Sequence, residues 1–306
     1  MRIIDCHVHL YPEELNADPE KWARVNSEAH WARLCTRRRK DGRAVQSFPR
    51  VDELLRELDR AGIERAVLLG WYWENPATCA GQNRFLAACV RAHPDRLAGC
   101  ATLHPAAGPG ETLGELNRAR DDGLCGLGEL SPHSQGFAVD DPVFRAVLQR
   151  AAELRMPVTL HATDPRGRSY PGRIETPLAD FVRLVGEFPR TNFILAHWGG
   201  LLPLLEPSLR PAELPNLYFD TAASPLLYGF DIWERFLPVA GAERVLFGSD
   251  HPLDLYPRSP GESGLGRLLA EARAGGADER VLGENATRLF RAEGRWPPAA
   301  GGAATV

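Results

Sequence analysis

The stretch "RIIDCHVHLYP", residues 2 to 12, carries an apolar strand directly into two histidines separated by one residue. Side chains two apart on an extended strand point the same way, so His7 and His9 face one point and can grip one ion together. The spacing alone is a weak signal. It gains weight because the chain repeats the arrangement, an apolar run followed by a polar residue of ligand type.

Eight such runs can be counted: "RIIDC" (2 to 6), "RAVLLG" (65 to 70), "LAGCATL" (97 to 103), "LCGLGEL" (124 to 130), "MPVTLH" (156 to 161), "NFILAH" (192 to 197), "NLYFDT" (216 to 221) and "RVLFGSD" (244 to 250). Each is nearly continuously apolar, as strands buried on both faces are. Between them lie helix patterns at 51 to 62, 83 to 94, 110 to 123, 141 to 154 and 177 to 189, with a closing helix at 278 to 294. In the first, Leu54, Leu55 and Leu58 form the apolar stripe, Glu53, Arg56, Glu57 and Arg60 face water, and Gly62 ends it. Strand and helix alternating eight times predicts an α/β fold, a (β/α)8 TIM barrel, as one domain over residues 1 to 293. The Pro, Ala and Gly tail at 294 to 306 is expected to be flexible.

One connection is out of proportion. About forty residues, 11 to 50, separate the first strand from its helix, where about two to six suffice. Such a loop lies on the barrel's C-terminal face, where active sites are built, so it reads as a lid-like insertion packed down by Trp22, Trp31 and Phe48.

The chain has 306 residues, of which 44% are hydrophobic and 25% charged, with a formal net charge of -4. The length suits a barrel around one core. No apolar run is long enough to cross a bilayer and the first strand has no signal-like segment before it, so a cytoplasmic protein without membrane association is expected. The charge balance offers no broad attraction for nucleic acid. Six cysteines (Cys6, Cys35, Cys79, Cys89, Cys100, Cys125) lie far apart with no C-x-x-C pair and are expected to be reduced and mostly buried. The one basic cluster, "TRRRKDGR" at 36 to 43, reads as a solvated loop.

The strand ends carry the chemistry. His7 and His9 follow the first strand, Glu129 closes the fourth, His161 the fifth, His197 the sixth and Asp250 the eighth. Six groups of this type at strand ends are hard to explain as packing, because left unpaired in a barrel mouth they would be costly to bury. A bound cation removes the difficulty. Imidazole and carboxylate suit zinc, and also manganese, iron or cobalt, so a divalent metal is indicated more firmly than its identity.

The order HVH, GE, H, H, FGSDHP resembles the amidohydrolase superfamily of metal-dependent hydrolases, specifically its amidohydrolase-related (family 2) branch. The resemblance covers nearly the whole chain and includes "QNRFLAACVRAHPDRLAGCATLHP" (82 to 105), "FPRTNFILAHWGG" (188 to 200), "VLFGSDHPL" (245 to 253) and "ENATRLF" (284 to 290). It implies that His7, His9, His161 and Asp250 ligate one metal, and that His197 either polarises the substrate or joins Glu129 and His161 around a second. Many members carry a lysine that becomes carboxylated, or no ligand, at the fourth strand. Glu129 departs from that pattern and is similar to the bridging glutamate of the superfamily's deoxyribonuclease branch, so one or two metals are expected.

The resemblance implies hydrolysis of a small organic acid, amide, ester or lactone by metal-activated water, with Asp250 accepting the proton and His197 stabilising the oxyanion. The alternative is metal-dependent decarboxylation of a small unsaturated or aromatic acid, since the chain is also similar to aminocarboxymuconate semialdehyde decarboxylase-like proteins in its long loop after H-x-H and its "GSDHP". His251 is a weak candidate, because neighbours on a strand face opposite sides. Trp71 and Trp73 of "GWYWEN" could wall the pocket, and Arg166, Arg168, Tyr170 and Arg173 follow a ligand where a guanidinium could pair a substrate carboxylate. Asp220, Thr221 and Ser224 either support the pocket or cap the next helix. A small-molecule partner is expected, and a homodimer is implied by the resemblance alone. A nuclease fits Glu129 but not the charge, and a non-catalytic barrel fits poorly with six filled ligand positions.

Overall fold

The computed structural model describes residues 2–206, 213–259 and 264–290. Eight parallel strands follow one another around a single sheet: β1 Ile4–Val8, β2 Arg65–Leu69, β3 Leu97–Ala101, β4 Gly126–Leu130, β5 Val158–Leu160, β6 Phe193–Leu195, β7 Leu217–Asp220 and β8 Val245–Leu246. All eight predicted runs form strands. The ring closes where β1 meets the residues after β8: the Cys6 amide donates to the Phe247 carbonyl at 2.9 Å, Asp250 to His7 at 2.9 Å and His9 to His251 at 2.7 Å. Closure thus fixes the histidine pair against Asp250 in one step.

Helices alternate with the strands as the periodicity predicts, at Val51–Ala61, Pro109–Asp121, Pro142–Glu153 and Leu178–Glu187. The helix expected from residue 83 starts earlier, at Pro76, because proline needs no donor at a helix's first turn. The closing helix is a π-helical turn, Arg280–Glu284, running into Asn285–Leu289, and residues 291 to 306, with the predicted tail, lie outside the described residues. Leu54 and Leu58 are buried as the stripe requires, and the helix ends on Gly62 at φ 70°. All six cysteines are free and buried. None of the described helices is long and apolar enough to span a membrane.

The insertion holds three short helices, Glu13–Ala17, Pro19–Asn26 and Ala29–Cys35. Trp22, Trp31 and Phe48 pack with Tyr11 and Trp73 in a cluster of their own, rings 5.3 to 6.1 Å apart. Buried Glu28 fastens this cluster to the loop after β2, accepting from the backbone amides of Glu74 at 2.8 Å and Asn75 at 3.2 Å. In return the Glu74 carboxylate accepts from the His30 amide at 2.6 Å. These contacts make the insertion a fixed wall. Glu28→Ala strands two backbone donors, so a loss of about 1–3 kcal/mol is expected, read as a lower urea midpoint with unchanged slope.

Candidate metal centre

Four imidazoles and two carboxylates meet at the C-terminal mouth of the barrel. His7 Nε2 and His9 Nε2 lie 3.1 Å apart. Glu129 Oε2 stands 3.8 and 3.7 Å from them, and Asp250 Oδ1 3.6 and 3.5 Å. Across the site, the other oxygen of Glu129, Oε1, lies 2.8 Å from His161 Nδ1 and 3.3 Å from His197 Nε2, which are themselves 3.2 Å apart. Two groupings able to hold an ion therefore share one residue: His7, His9 and Glu129, then Glu129, His161 and His197.

All six predicted ligands converge. Glu129, His161 and His197 form the second grouping that the resemblance offered as an alternative, while beside His7 and His9 it is Glu129, and not His161, that lies within reach. The reason is where β4 ends: Glu129 sits between the two histidine pairs and turns one oxygen to each. Gly128 makes this approach feasible, since a Cβ there would lie 2.5 Å from the Thr159 carbonyl oxygen on a backbone at φ 119°.

Each histidine is oriented from behind. His7 Nδ1 faces Asp220 Oδ2 at 2.8 Å, His9 Nδ1 the Leu69 carbonyl at 3.2 Å, His197 Nδ1 the Ala222 carbonyl at 3.2 Å, and His161 Nε2 the Thr163 hydroxyl at 3.4 Å. With the rear nitrogens of His7, His9 and His197 donating to these oxygens, their front nitrogens present lone pairs. Beside His7 and His9 this leaves two lone pairs and two carboxylate oxygens facing one another, an arrangement that calls for a cation. The donor set of imidazole nitrogen and carboxylate oxygen fits a divalent metal.

Burial and mutual charge pull the titrations of these groups apart. Burial disfavours charge on His7, but Asp220, Glu129 and Asp250 outweigh it and raise its pKa to about 10. Burial, reinforced by His7, lowers His9 to about 3. Burial also opposes the charge of Glu129, yet His161, His197 and His7 hold it well below the usual carboxylate range. For His161 burial prevails and the pKa falls, whereas for His197 Glu129 and Asp250 overcome burial and it rises. The backbone shares the strain: His197, Ala223 and Asp250 sit at φ 57°, 55° and 68°, a region non-glycine residues seldom occupy.

A cavity of about 910 Å³ opens above these groups. Trp71 walls it, its ring 4.3 Å from that of Tyr72 and 5.1 Å from that of His9, while Tyr72 covers His161 at 5.2 Å. Arg168, Tyr170 and Arg173 line it. Two predicted substrate contacts are corrected. Trp73 is buried among Tyr11, Trp22 and Trp31, where it anchors the insertion, and Arg166 is exposed and not among the residues that line the cavity. Arg173 is also committed to Glu175 and to the Asp164 carbonyl.

The basic cluster is corrected as well. Residues 37 to 39 pair antiparallel with 43 to 45 through the Arg38–Ala44 bridge, so alternation sends Arg37 and Arg39 into the cavity and Arg38 outward. Arg39 pairs with Asp254 at 3.6 Å. Arg37 has no carboxylate partner among the described residues, and burial and then Arg39 lower its pKa. His251 faces away from the centre, 3.6 Å from Glu57, and burial lowers its pKa to about 4. Thr221 ties β7 to Gly248, and the Ser224 hydroxyl accepts from the Trp198 indole.

An eight-stranded barrel with imidazoles and carboxylates gathered at its C-terminal mouth defines the class of metal-dependent barrel enzymes. Within it the chain belongs to the amidohydrolase family, whose model matches residues 4–292. Solved structures share the fold at low identity. The 5-carboxyvanillate decarboxylase LigW of Sphingomonas paucimobilis matches at a TM-score of 0.67 and 20% identity over 95% of this chain and 99% of that one. A 2,6-dihydroxybenzoate decarboxylase from Rhizobium matches at 0.65 and 19%, over 95% and 98%. A protein of Acinetobacter baumannii described as a probable 2-pyrone-4,6-dicarboxylic acid hydrolase matches at 0.61 and 16%, over 95% and 99%.

Proposed function

We propose that this chain is a hydrolase that holds two divalent ions, zinc foremost, and acts on a small organic acid, ester, amide or lactone. The observation that carries this reading is Glu129, with one oxygen turned to each histidine pair. When bound, such ions lower the pKa of a water towards neutrality and polarise the bond to be cleaved. His7, His9 and Asp250 with Glu129 Oε2 would hold one ion, and His161 and His197 with Glu129 Oε1 the other.

The chain's own residues then act around them. Asp250, whose carboxylate lies 3.6 and 3.5 Å from the His7 and His9 nitrogens, is placed to take a proton and deliver it to the leaving group. Trp71 and Tyr72 offer a flat apolar face to the substrate and exclude water from it. Arg37, half-buried and without an acid partner among the described residues, is placed to pair with a substrate carboxylate. Arg37→Ala is expected to raise KM about tenfold to a hundredfold with little change in kcat, the loss of one charged hydrogen bond, in steady-state kinetics on an acidic substrate.

A second reading is decarboxylation of an unsaturated or aromatic acid, favoured by an aromatic wall and an arginine without a carboxylate partner among the described residues lining one cavity, and by the two decarboxylases that share the fold. Zinc-loaded protein assayed against lactones, esters and amides of small acids, and against aromatic acids with detection of released carbon dioxide, separates the two. Cleavage of the first set with two zinc ions per chain supports hydrolysis. Carbon dioxide release with a single ion overturns it.

A further inference from the structure

Asp220 was legible only as a strand-end residue that supports the pocket or caps a helix, yet it touches both halves of the centre. It is fully buried at the end of β7. Its Oδ2 lies 2.8 Å from His7 Nδ1. Its Oδ1 accepts from the backbone amides of His197 and Ala222, each at 3.0 Å. The first of these amides belongs to the turn in which His197 is held at φ 57°, and the second to the loop that follows β7.

We infer that Asp220 is a positioning residue that sets the tautomer of His7 and the aim of His197, so that both ion sites depend on this one carboxylate. The inference rests on the proposed metal centre. A carboxylate is the one side chain of this length with an acceptor on both arms. With Oδ2 accepting, the His7 proton stays on Nδ1 and its lone pair stays on Nε2, the nitrogen 3.1 Å from His9 Nε2. With Oδ1 accepting, the chain keeps the strained turn that brings His197 Nε2 to 3.3 Å from Glu129 Oε1. His9 and His197 are oriented by neutral carbonyls and His161 by a hydroxyl, so among the four His7 alone has an anionic acceptor behind it.

Asparagine tests this closely because it has one acceptor arm and one donor arm. If its oxygen serves the two amides, its NH2 faces His7 Nδ1 and drives the His7 proton to Nε2, blocking the front nitrogen. If its oxygen serves His7, the His197 turn loses its acceptor. Either orientation damages one site.

The experiment is zinc affinity by chelator competition on the full chain, wild type against Asp220→Asn, with the melting temperature of the metal-free forms alongside. At least one site of the variant is expected to bind zinc about tenfold to a hundredfold more weakly, the usual effect of removing a partner behind a ligand. Unchanged affinity at both sites, with only a lower melting temperature, would assign Asp220 to holding the loop and overturn the inference. Wild type that binds no zinc would instead defeat the metal reading on which it depends. Should the variant not fold, nitrogen-15 histidine spectra of zinc-loaded wild type decide the matter. A proton on His7 Nδ1 supports the assignment, and one on Nε2 overturns it.

Discussion

Glu129→Ala is expected to reduce bound metal from two ions per chain to one or none and to lower turnover at least about a thousandfold, corresponding to several kcal/mol of lost charge stabilisation. The substitution removes Oε2 from beside His7 and His9 and Oε1 from beside His161 and His197 in a single step. Glu129→Gln sharpens the test, because its one remaining oxygen can serve only one pair while its NH2 faces the other. That variant should keep at most one ion. Elemental analysis after gel filtration gives the count, and two ions retained by Glu129→Ala would sink the shared-ligand reading.

The same centre should load poorly in acid. His7 is held at about 10, so at neutral pH the ion-free protein carries a proton that an incoming cation must displace. Lowering the pH strengthens the proton's hold, and apparent affinity falls by about tenfold per unit for each proton displaced.

The barrel was legible because its strands are buried on both faces and therefore read as unbroken apolar runs. Strand lengths were not: β8 pairs with β7 over two residues, and from Phe247 onward the chain bonds to β1 instead, which carries it to Asp250 at φ 68°. The three insertion helices have five, eight and seven residues, too short for a periodic stripe to stand out from loop sequence. The ligands were legible as strand-end histidines and carboxylates, and so was one grouping, Glu129 with His161 and His197, but not the place of Glu129 beside His7 and His9, because that depends on how far each side chain reaches across the mouth. Arg37 was missed for a related reason. Its alternation with Arg38 and Arg39 exists only in a hairpin, and a run of charged residues gives no apolar pattern to announce one. Trp71 and Trp73 share strand-like spacing, yet the second is captured by Tyr11 and Trp31 of a segment distant in sequence. Asp220 looked like any residue at the head of a loop, and only the fold brings His7 across to its second oxygen.

Asp250→Asn is the substitution that separates holding the ions from using them. Asparagine keeps an oxygen where Oδ1 lies 3.6 and 3.5 Å from the His7 and His9 nitrogens, so metal content should change little. What it cannot do is take a proton, and a positioned base contributes about a hundredfold to ten-thousandfold in rate, so kcat should fall by that much. The pH profile supplies a second readout. Burial raises Asp250 to about 6 against the pull of His7 and His197, so the base form is present above that value and is lost as pH falls through it. A cation beside the carboxylate favours its charged form and moves this limb to lower pH. Wild-type kcat should therefore rise with pH along an acid limb at or below about 6, and Asp250→Asn should flatten that limb while lowering the plateau. If the variant instead keeps the limb and loses metal in proportion to activity, Asp250 acts as a ligand alone.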